Sequence, residues 1–193
     1  MKTGFSRILA VVPLLLLLPV YSCFGQSTDY AKSQIGFRSK QMNVPVDGSF
    51  GRFTAQVAWN PAKPQASRAE VTVDLASFDI GLDYVNEEAM GKDWFDVNNF
   101  PLAKFASAAV KPVGGGRYEA AGKLSMKGIT RDVVVVFGVK PEGAGLVFEG
   151  SLPIRRLQFR IGEGQWGDTG TVADEVEIRF RIVTAAAQAP RQK

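Results

Sequence analysis

Histidine is absent from all 193 residues, and cysteine occurs once, at Cys23. The first absence excludes Ser-His-Asp triads, imidazole general bases and His-ligated metal centres. The second excludes an internal disulfide and a thiolate cluster. Net charge is scarce as well. The chain carries 23 basic and 19 acidic residues, a formal +4, and setting aside Lys2 and Arg7 of the leader leaves +2. So small an excess does not make a nucleic-acid-binding surface. Hydrophobic residues are 46% and charged residues 22%, which suits a globular chain rather than a disordered or collagen-like one. The length fits one domain that buries roughly 70% of its unfolded surface, enough for a core without staples.

Residues 1–25 read as a secretory signal peptide. Lys2 and Arg7 form a positive start, residues 8–18 are almost unbroken apolar, and Ser22-Cys23-Phe24-Gly25 is a small-residue exit. The apolar run is short of the ~20 residues that a membrane span needs, and Pro13 and Pro19 bracket its centre. The expectation is export. Two processing readings stand side by side. Cleavage after Gly25 starts the mature chain at Gln26. Alternatively, Val20-Tyr21-Ser22-Cys23 resembles a lipobox, with Cys23 acylated and the protein anchored to a membrane.

From Asp29 onward the dominant period is two, the strand period. Eight segments carry it. They fall in residues 30–38, 53–59, 70–75, 102–111, 118–127, 133–139, 146–152 and 175–182. Asp47-Gly48, Asn60-Pro61, Gly114-Gly115-Gly116, Lys127-Gly128 and Glu142-Gly143 read as turns. Regular short spacing of this kind favours an all-β barrel or sandwich over parallel βαβ units. One segment departs: Leu82, Val85 and Ala89 recur at helical spacing, predicting a short helix over residues 83–92, between the third and fourth strands. Residues 155–170 read as a long Gly-rich loop, of the length that is often functional or disordered. Residues 185–193 read as a frayed tail.

Alternation places Phe37, Phe53, Val57, Trp59, Val71, Val73, Leu124, Val135, Phe137, Phe148, Ile178 and Phe180 on the apolar side of their strands. Glu70, Lys123, Glu149 and Arg179 lie on the opposite side. In a closed barrel the apolar side faces inward. Small residues sit among the large ones: Ala31, Ser33, Ala55, Ala120, Gly122 and Gly150. They are compatible with a cavity, and equally with a filled interior in which small and large residues alternate to fit a taper. Catalytic motifs are lacking. Asp93 with Asp96, or Asp79 with Asp83, could serve acid/base chemistry or calcium, but Asp at turns and helix ends ordinarily caps backbone groups. Residues 162–168, with Trp166, read as a loop packing its indole against a barrel rim.

The mature chain resembles the YceI-like family of exported bacterial, lipocalin-like barrels named for binding polyisoprenoids. Ala31-Lys32-Ser33-Gln34-Ile35-Gly36-Phe37 is similar to its first strand, and Val46-Asp47-Gly48-Ser49-Phe50-Gly51-Arg52-Phe53 to its second-strand start. Asp93-Trp94-Phe95-Asp96 and Phe100-Pro101-Leu102-Ala103-Lys104-Phe105 resemble its helix exit and following strand. The stretch from Tyr118-Glu119-Ala120 through Lys127-Gly128-Ile129-Thr130-Arg131-Asp132 resembles its central hairpin, and Ile161-Gly162-Glu163-Gly164-Gln165-Trp166 a subgroup's loop. The likeness spans about residues 29–184 and departs at Lys32, where many members carry His. It implies an eight-stranded antiparallel lipocalin-like barrel over residues 26–184, a periplasmic location and no catalysis. It implies no metal or cofactor. Its partner is a long-chain isoprenoid lipid, a polyprenyl or quinone-like tail, held against the twelve apolar residues named above. A structural barrel with a filled core and an enzyme acting on a bound lipid are the alternatives.

Overall fold

The structure is a computed structural model that describes residues 26–185. The leader, Cys23 and residues 186–193 lie outside the described residues, and with them both processing readings and nearly all of the expected tail. The fold is all-β, a single curled antiparallel sheet with one helix. Its strands are β1 Gln34–Gln41, β2 Val44–Phe50, β3 Phe53–Ala58, β4 Arg68–Asp74, β5 Phe78–Asp79, β6 Leu102–Gly114, β7 Arg117–Met126, β8 Ile129–Glu142, β9 Gly145–Arg155 and β10 Glu175–Thr184, and α1 is Asp83–Met90. They are ordered β3-β4-β6-β7-β8-β9-β10-β1-β2-β5. Among the described residues no helix is long and apolar enough to cross a membrane.

The curl follows from chain continuity. β2 runs into β3 through Gly51-Arg52, and β4 runs into β5 through the 3₁₀ turn Leu75–Ser77. The two ends of the sheet are therefore the two halves of one bent ribbon. Gly51 N–H donates to Ser77 C=O and Asp74 N–H to Arg52 C=O, each at 3.0 Å, stitching the corner. Residues 26–29 lie between β3 and β10. Gln26 N–H donates to Val57 C=O at 2.9 Å, the Thr28 hydroxyl to Ala55 C=O at 2.7 Å, and Asp29 N–H to Val183 C=O at 2.8 Å. Backbone groups that would otherwise be an open sheet edge are thus paired.

Ten strands stand where eight were expected. The eight predicted segments correspond to β1, β3, β4 and β6–β10; β2 and β5 are additional. In β2, Pro45 and Asp47-Gly48 hide the alternation, and Asp47-Gly48 is mid-strand rather than a turn. The turn lies at Met42-Asn43, whose φ values of 46° and 64° fit a two-residue hairpin loop. β5 has two residues, too few for any period. The first strand begins at Gln34, so Ala31 is exposed and not inward. Ser33 instead donates its hydroxyl to Asp29 C=O at 2.7 Å. The helix ends at Met90, two residues before the predicted end. β8 and β9 pair only between residues 136–142 and 145–151, and diverge beyond Ser151. Pro153, which has no N–H to offer, stands in the diverging part.

Of the interior small residues, Ala120 lines open space, whereas Gly122 and Gly150 are covered by their neighbours. A Cβ on Gly150 would meet the Phe180 ring at 2.8 Å, and one on Gly122 the Phe105 ring at 2.8 Å. Glycine at these two positions lets a bulky ring fold flat over the sheet.

Candidate functional site

A cavity of about 660 Å³ remains inside the curl, walled mostly by apolar side chains. Eleven of the twelve residues expected on the apolar side line it: Phe37, Val57, Trp59, Val71, Val73, Leu124, Val135, Phe137, Phe148, Ile178 and Phe180. Phe53 does not. It lies one residue after the Gly51-Arg52 corner, where its ring packs edge-on against Tyr30 at 5.7 Å. Six of the eight exposed lining residues border one opening; the other two, Arg68 and Lys104, lie on β4 and β6. Lys40, Gln41 and Pro45 come from the β1–β2 hairpin, and Leu82, Tyr84 and Glu88 from α1 and its approach.

The end away from this mouth is packed with rings, with the exposed Arg68 at its edge. Trp59 meets Tyr118 at 4.8 Å and Phe148 at 5.7 Å, both edge-on, while Tyr118 stacks on Phe137 at 5.6 Å. These are offset and T-shaped arrangements of the kind aromatic quadrupoles favour. A second cluster lies along the wall toward the mouth, with Phe37 stacked on Phe78 at 5.2 Å and Phe78 edge-on to Phe95 at 5.5 Å.

The mouth is built differently. Arg156, only 2% exposed, opens the 3₁₀ turn Arg156–Phe159. Its five N–H groups all donate to backbone carbonyls: Nε to Ala173 at 3.0 Å, Nη1 to Ile161 at 2.9 Å and Gly162 at 2.7 Å, Nη2 to Trp166 at 2.8 Å and Val172 at 2.7 Å. The guanidinium lies 5.6 Å from the Trp94 ring centroid, a cation–π contact. Burial pushes its pKa below the ordinary arginine value, and the charge of Asp174 partly offsets this. Lys127, with its side chain also buried, donates Nζ to Lys92 C=O at 2.8 Å and Arg160 C=O at 2.7 Å. Trp94 packs against Trp166 at 5.7 Å, and Trp166 Nε1 donates to Glu88 Oε1 of α1 at 2.9 Å. The loop expected over residues 155–170 is therefore an ordered wall of the mouth. Ser39 Oγ and Trp94 Nε1, both of cavity-lining residues, are buried without a hydrogen-bond partner among the described residues.

Two of the four carboxylates considered for chemistry, Asp79 and Asp96, are held by local hydrogen bonds. Asp79 accepts from Gly81 N–H at 2.7 Å and Asn86 Nδ2 at 2.9 Å, bonds that hold its pKa below the usual range. Asp96 accepts from Asn99 Nδ2 at 3.0 Å. The Asp93 carbonyl receives Gly162 N–H and Glu163 N–H, each at 2.8 Å. Among the described residues no three acidic or cysteine side chains gather to hold a metal. Lys32, at the family's frequent His position, is exposed and lies 3.6 Å from Asp29.

Arg156, Ser39 and Trp94 escape a reading of apolar alternation because the first two are polar and the third lies outside any strand. A signal existed for two of them. The inward phase Phe148, Gly150, Leu152, Ile154 continues to Arg156, and Ile35, Phe37 continues to Ser39. Trp94 lies in a loop, where no period applies.

Known proteins of like sequence and shape complete the description. A UPF0312 protein of Azotobacter vinelandii is 30% identical over 143 residues, spanning 70% of this chain and 71% of that protein. The crystal structure of Burkholderia cenocepacia BcnA covers 82% of this chain and 100% of its own, at a TM-score of 0.80 and 46% identity. A polyisoprenoid binding domain from Saccharophagus degradans covers 85% of this chain and 99% of its own, with a TM-score of 0.66 and 14% identity. At that identity the likeness is one of fold alone. The YceI-like domain model matches residues 27–184, almost every described residue, and the chain belongs to that family.

Proposed function

We propose that the protein binds an isoprenoid lipid inside its curled sheet and serves as a periplasmic carrier or buffer for it. The observation that carries this reading is the cavity of about 660 Å³ with its apolar wall. The shared fold with a domain described as polyisoprenoid binding supports it. Binding pockets of this size and lining take ligands by burial, with a few polar groups fixing orientation. An isoprenoid tail offers only CH₂, CH₃ and alkene groups. Sheltering even ~300 Å² of it contributes on the order of 7 kcal/mol before ordering costs. The tail lies toward the Trp59 rings, and the oxygen-bearing head lies at the mouth, near Ser39 and Trp94. Arg156 and Glu88, two titratable groups of the mouth wall beside Lys40 and Tyr84, are committed to structural hydrogen bonds.

Organic extraction and mass spectrometry of the purified protein test the proposal. The protein carries an isoprenoid. Val57→Glu or Val73→Lys, which put a charge into the cavity wall, remove most of it, whereas Thr72→Lys on the opposite face of β4 leaves it. Circular dichroism establishes that each variant is folded. Equal occupancy in all folded variants, or no extractable lipid from any, overturns the reading.

A further inference from the structure

Large apolar side chains are exposed at eight positions among the described residues, and four of them border one opening. Met42 is 70% exposed and Val44 62%, in and just after the turn of the β1–β2 hairpin; Leu82 is 47% and Tyr84 73%, at the start of α1. Leu82 and Tyr84 themselves line the cavity, as do Gln41 and Pro45 beside the hairpin residues. The two segments are neighbours because β5 pairs with β2 through Ser49↔Asp79. The chain beyond β5 therefore continues along β2 toward its start. Two protrusions with apolar tips thus flank the mouth. Exposed apolar residues scattered singly are ordinary, but these four are gathered as a collar around one cavity mouth.

We infer that this collar docks the mouth onto a lipid bilayer, its tips entering the headgroup region so that cargo passes between membrane and cavity without crossing water. The inference rests on the cavity being an isoprenoid site, because a cargo with negligible solubility in water is available at concentration only in a bilayer. The protruding shape also favours a bilayer. Separate tips around an opening penetrate a soft surface, whereas a protein face is better met by one continuous patch. Charge specifies the bilayer further. Asp79, Asp83, Glu87 and Glu88 lie on or beside the α1 side of the collar, with Lys40 on the hairpin side. Attraction to anionic lipid, which strengthens basic amphipathic surfaces, is missing and is replaced by repulsion. Apolar insertion drives the docking, and neutral zwitterionic lipid is its preferred surface.

Flotation of the protein, purified after expression of the full sequence, with phosphatidylcholine vesicles tests this. The wild type floats, and adding phosphatidylglycerol to the vesicles reduces the floated fraction. Met42→Asp combined with Tyr84→Asp lowers partitioning at least about tenfold, since each tip loses apolar burial. Val113→Asp, at an exposed apolar residue of β6 beside the β6–β7 turn at the ring end, leaves flotation unchanged. Equal flotation of the double variant, or none by the wild type, overturns the inference. So does a concentration-dependent dimer of the wild type, without vesicles, that the double variant abolishes, because the collar is then a face between copies. Extractable lipid is measured on the same samples. Wild type that floats through its collar yet carries no isoprenoid leaves the docking standing and the cargo reading overturned. Isoprenoid-loaded protein that ignores vesicles does the reverse.

Discussion

The two ends of the cavity are held by different physics. At the ring end, Trp59, Tyr118, Phe137 and Phe148 pack ring on ring over the ladders of β3 and β7–β9, and residues 26–29 fill the seam between β3 and β10. The rings themselves carry no charge. At the mouth, a loop of irregular backbone has few ladder partners, and a buried guanidinium gathers five of its carbonyls instead. Apolar packing tolerates adjustment by small shifts, whereas a cation that satisfies carbonyls from several segments fixes them in one arrangement. The difference teaches that the floor is a piece of ordinary core. The mouth is a preorganised frame whose shape depends on a few polar bonds.

The strongest way to break this contrast is to remove the cation. Arg156→Ala leaves five carbonyls without their donor and opens a void beside Trp94, at a cost of about 3–5 kcal/mol. For a domain of this size that lowers the melting temperature by roughly 10 °C. Hydrogen exchange localises the damage to residues 161–173, while β3 and β7 keep their protection. Arg156→Lys restores part of the loss, because three donors on one nitrogen cannot reach all five acceptors. An unchanged melt for Arg156→Ala removes the basis for calling the mouth a cation-held frame. Trp59→Ala is the matching experiment at the floor. Truncating a large ring normally costs about 3–5 kcal/mol, and here the low end applies because one side of Trp59 already faces a cavity. Its protection loss falls on β3, β7 and β8, with the mouth amides unaffected. Loss of mouth protection in Trp59→Ala shows that the two ends are one cooperative unit.

The same contrast explains what the sequence makes legible. Floor and walls follow from period two: Val71 and Val73, or Ile178 and Phe180, face inward because alternation has no other meaning on a half-buried strand. Eleven of the twelve residues with that phase line the cavity, and Phe53 packs against the core beside Tyr30 instead. The rule is silent where the pattern is short or interrupted, so β2 with its Pro45 and the two-residue β5 go unseen. Whether the interior is filled or hollow is a sum of ring volumes over ten strands. Gly122 and Gly150 show that a small residue is no guide to it, because Phe105 and Phe180 take the space. The mouth is the least legible part. Arg156 carries the inward phase of β9, yet a charged residue at the end of a strand is ordinarily solvated. Only the tertiary gathering of carbonyls from residues 161–173 makes its burial favourable.

A smaller effect sharpens the comparison, through pH. Asp168 lies in the mouth loop, where Oδ1 accepts from Gly170 N–H at 3.0 Å and Oδ2 from the Thr171 hydroxyl at 2.9 Å. These bonds, the Gly170 amide first, hold its pKa below the usual carboxylate range. Glu163 in the same loop is lowered chiefly by its hydrogen bond with Arg160. A carboxyl group with a lowered folded-state pKa stabilises the fold fully above its unfolded value of about 4, and that contribution disappears as the pH falls through the folded value. The loop that Asp168 shapes is tied to the β1–β2 hairpin by Met42 N–H donating to Thr171 C=O at 2.8 Å, and to Arg156 through Val172. The floor rings carry no carboxylate. Acidification below about pH 4 therefore loosens the mouth before the floor. The three tryptophans report it separately: in NMR spectra the Trp94 and Trp166 indole signals broaden or shift at a higher pH than that of Trp59. Asp168→Asn keeps a side-chain acceptor but has nothing to titrate, so it weakens the loop slightly at neutral pH and blunts the acid response of Trp166. Simultaneous change of all three indoles, or an unaltered acid response in Asp168→Asn, shows that protonation in the mouth loop does not govern the frame.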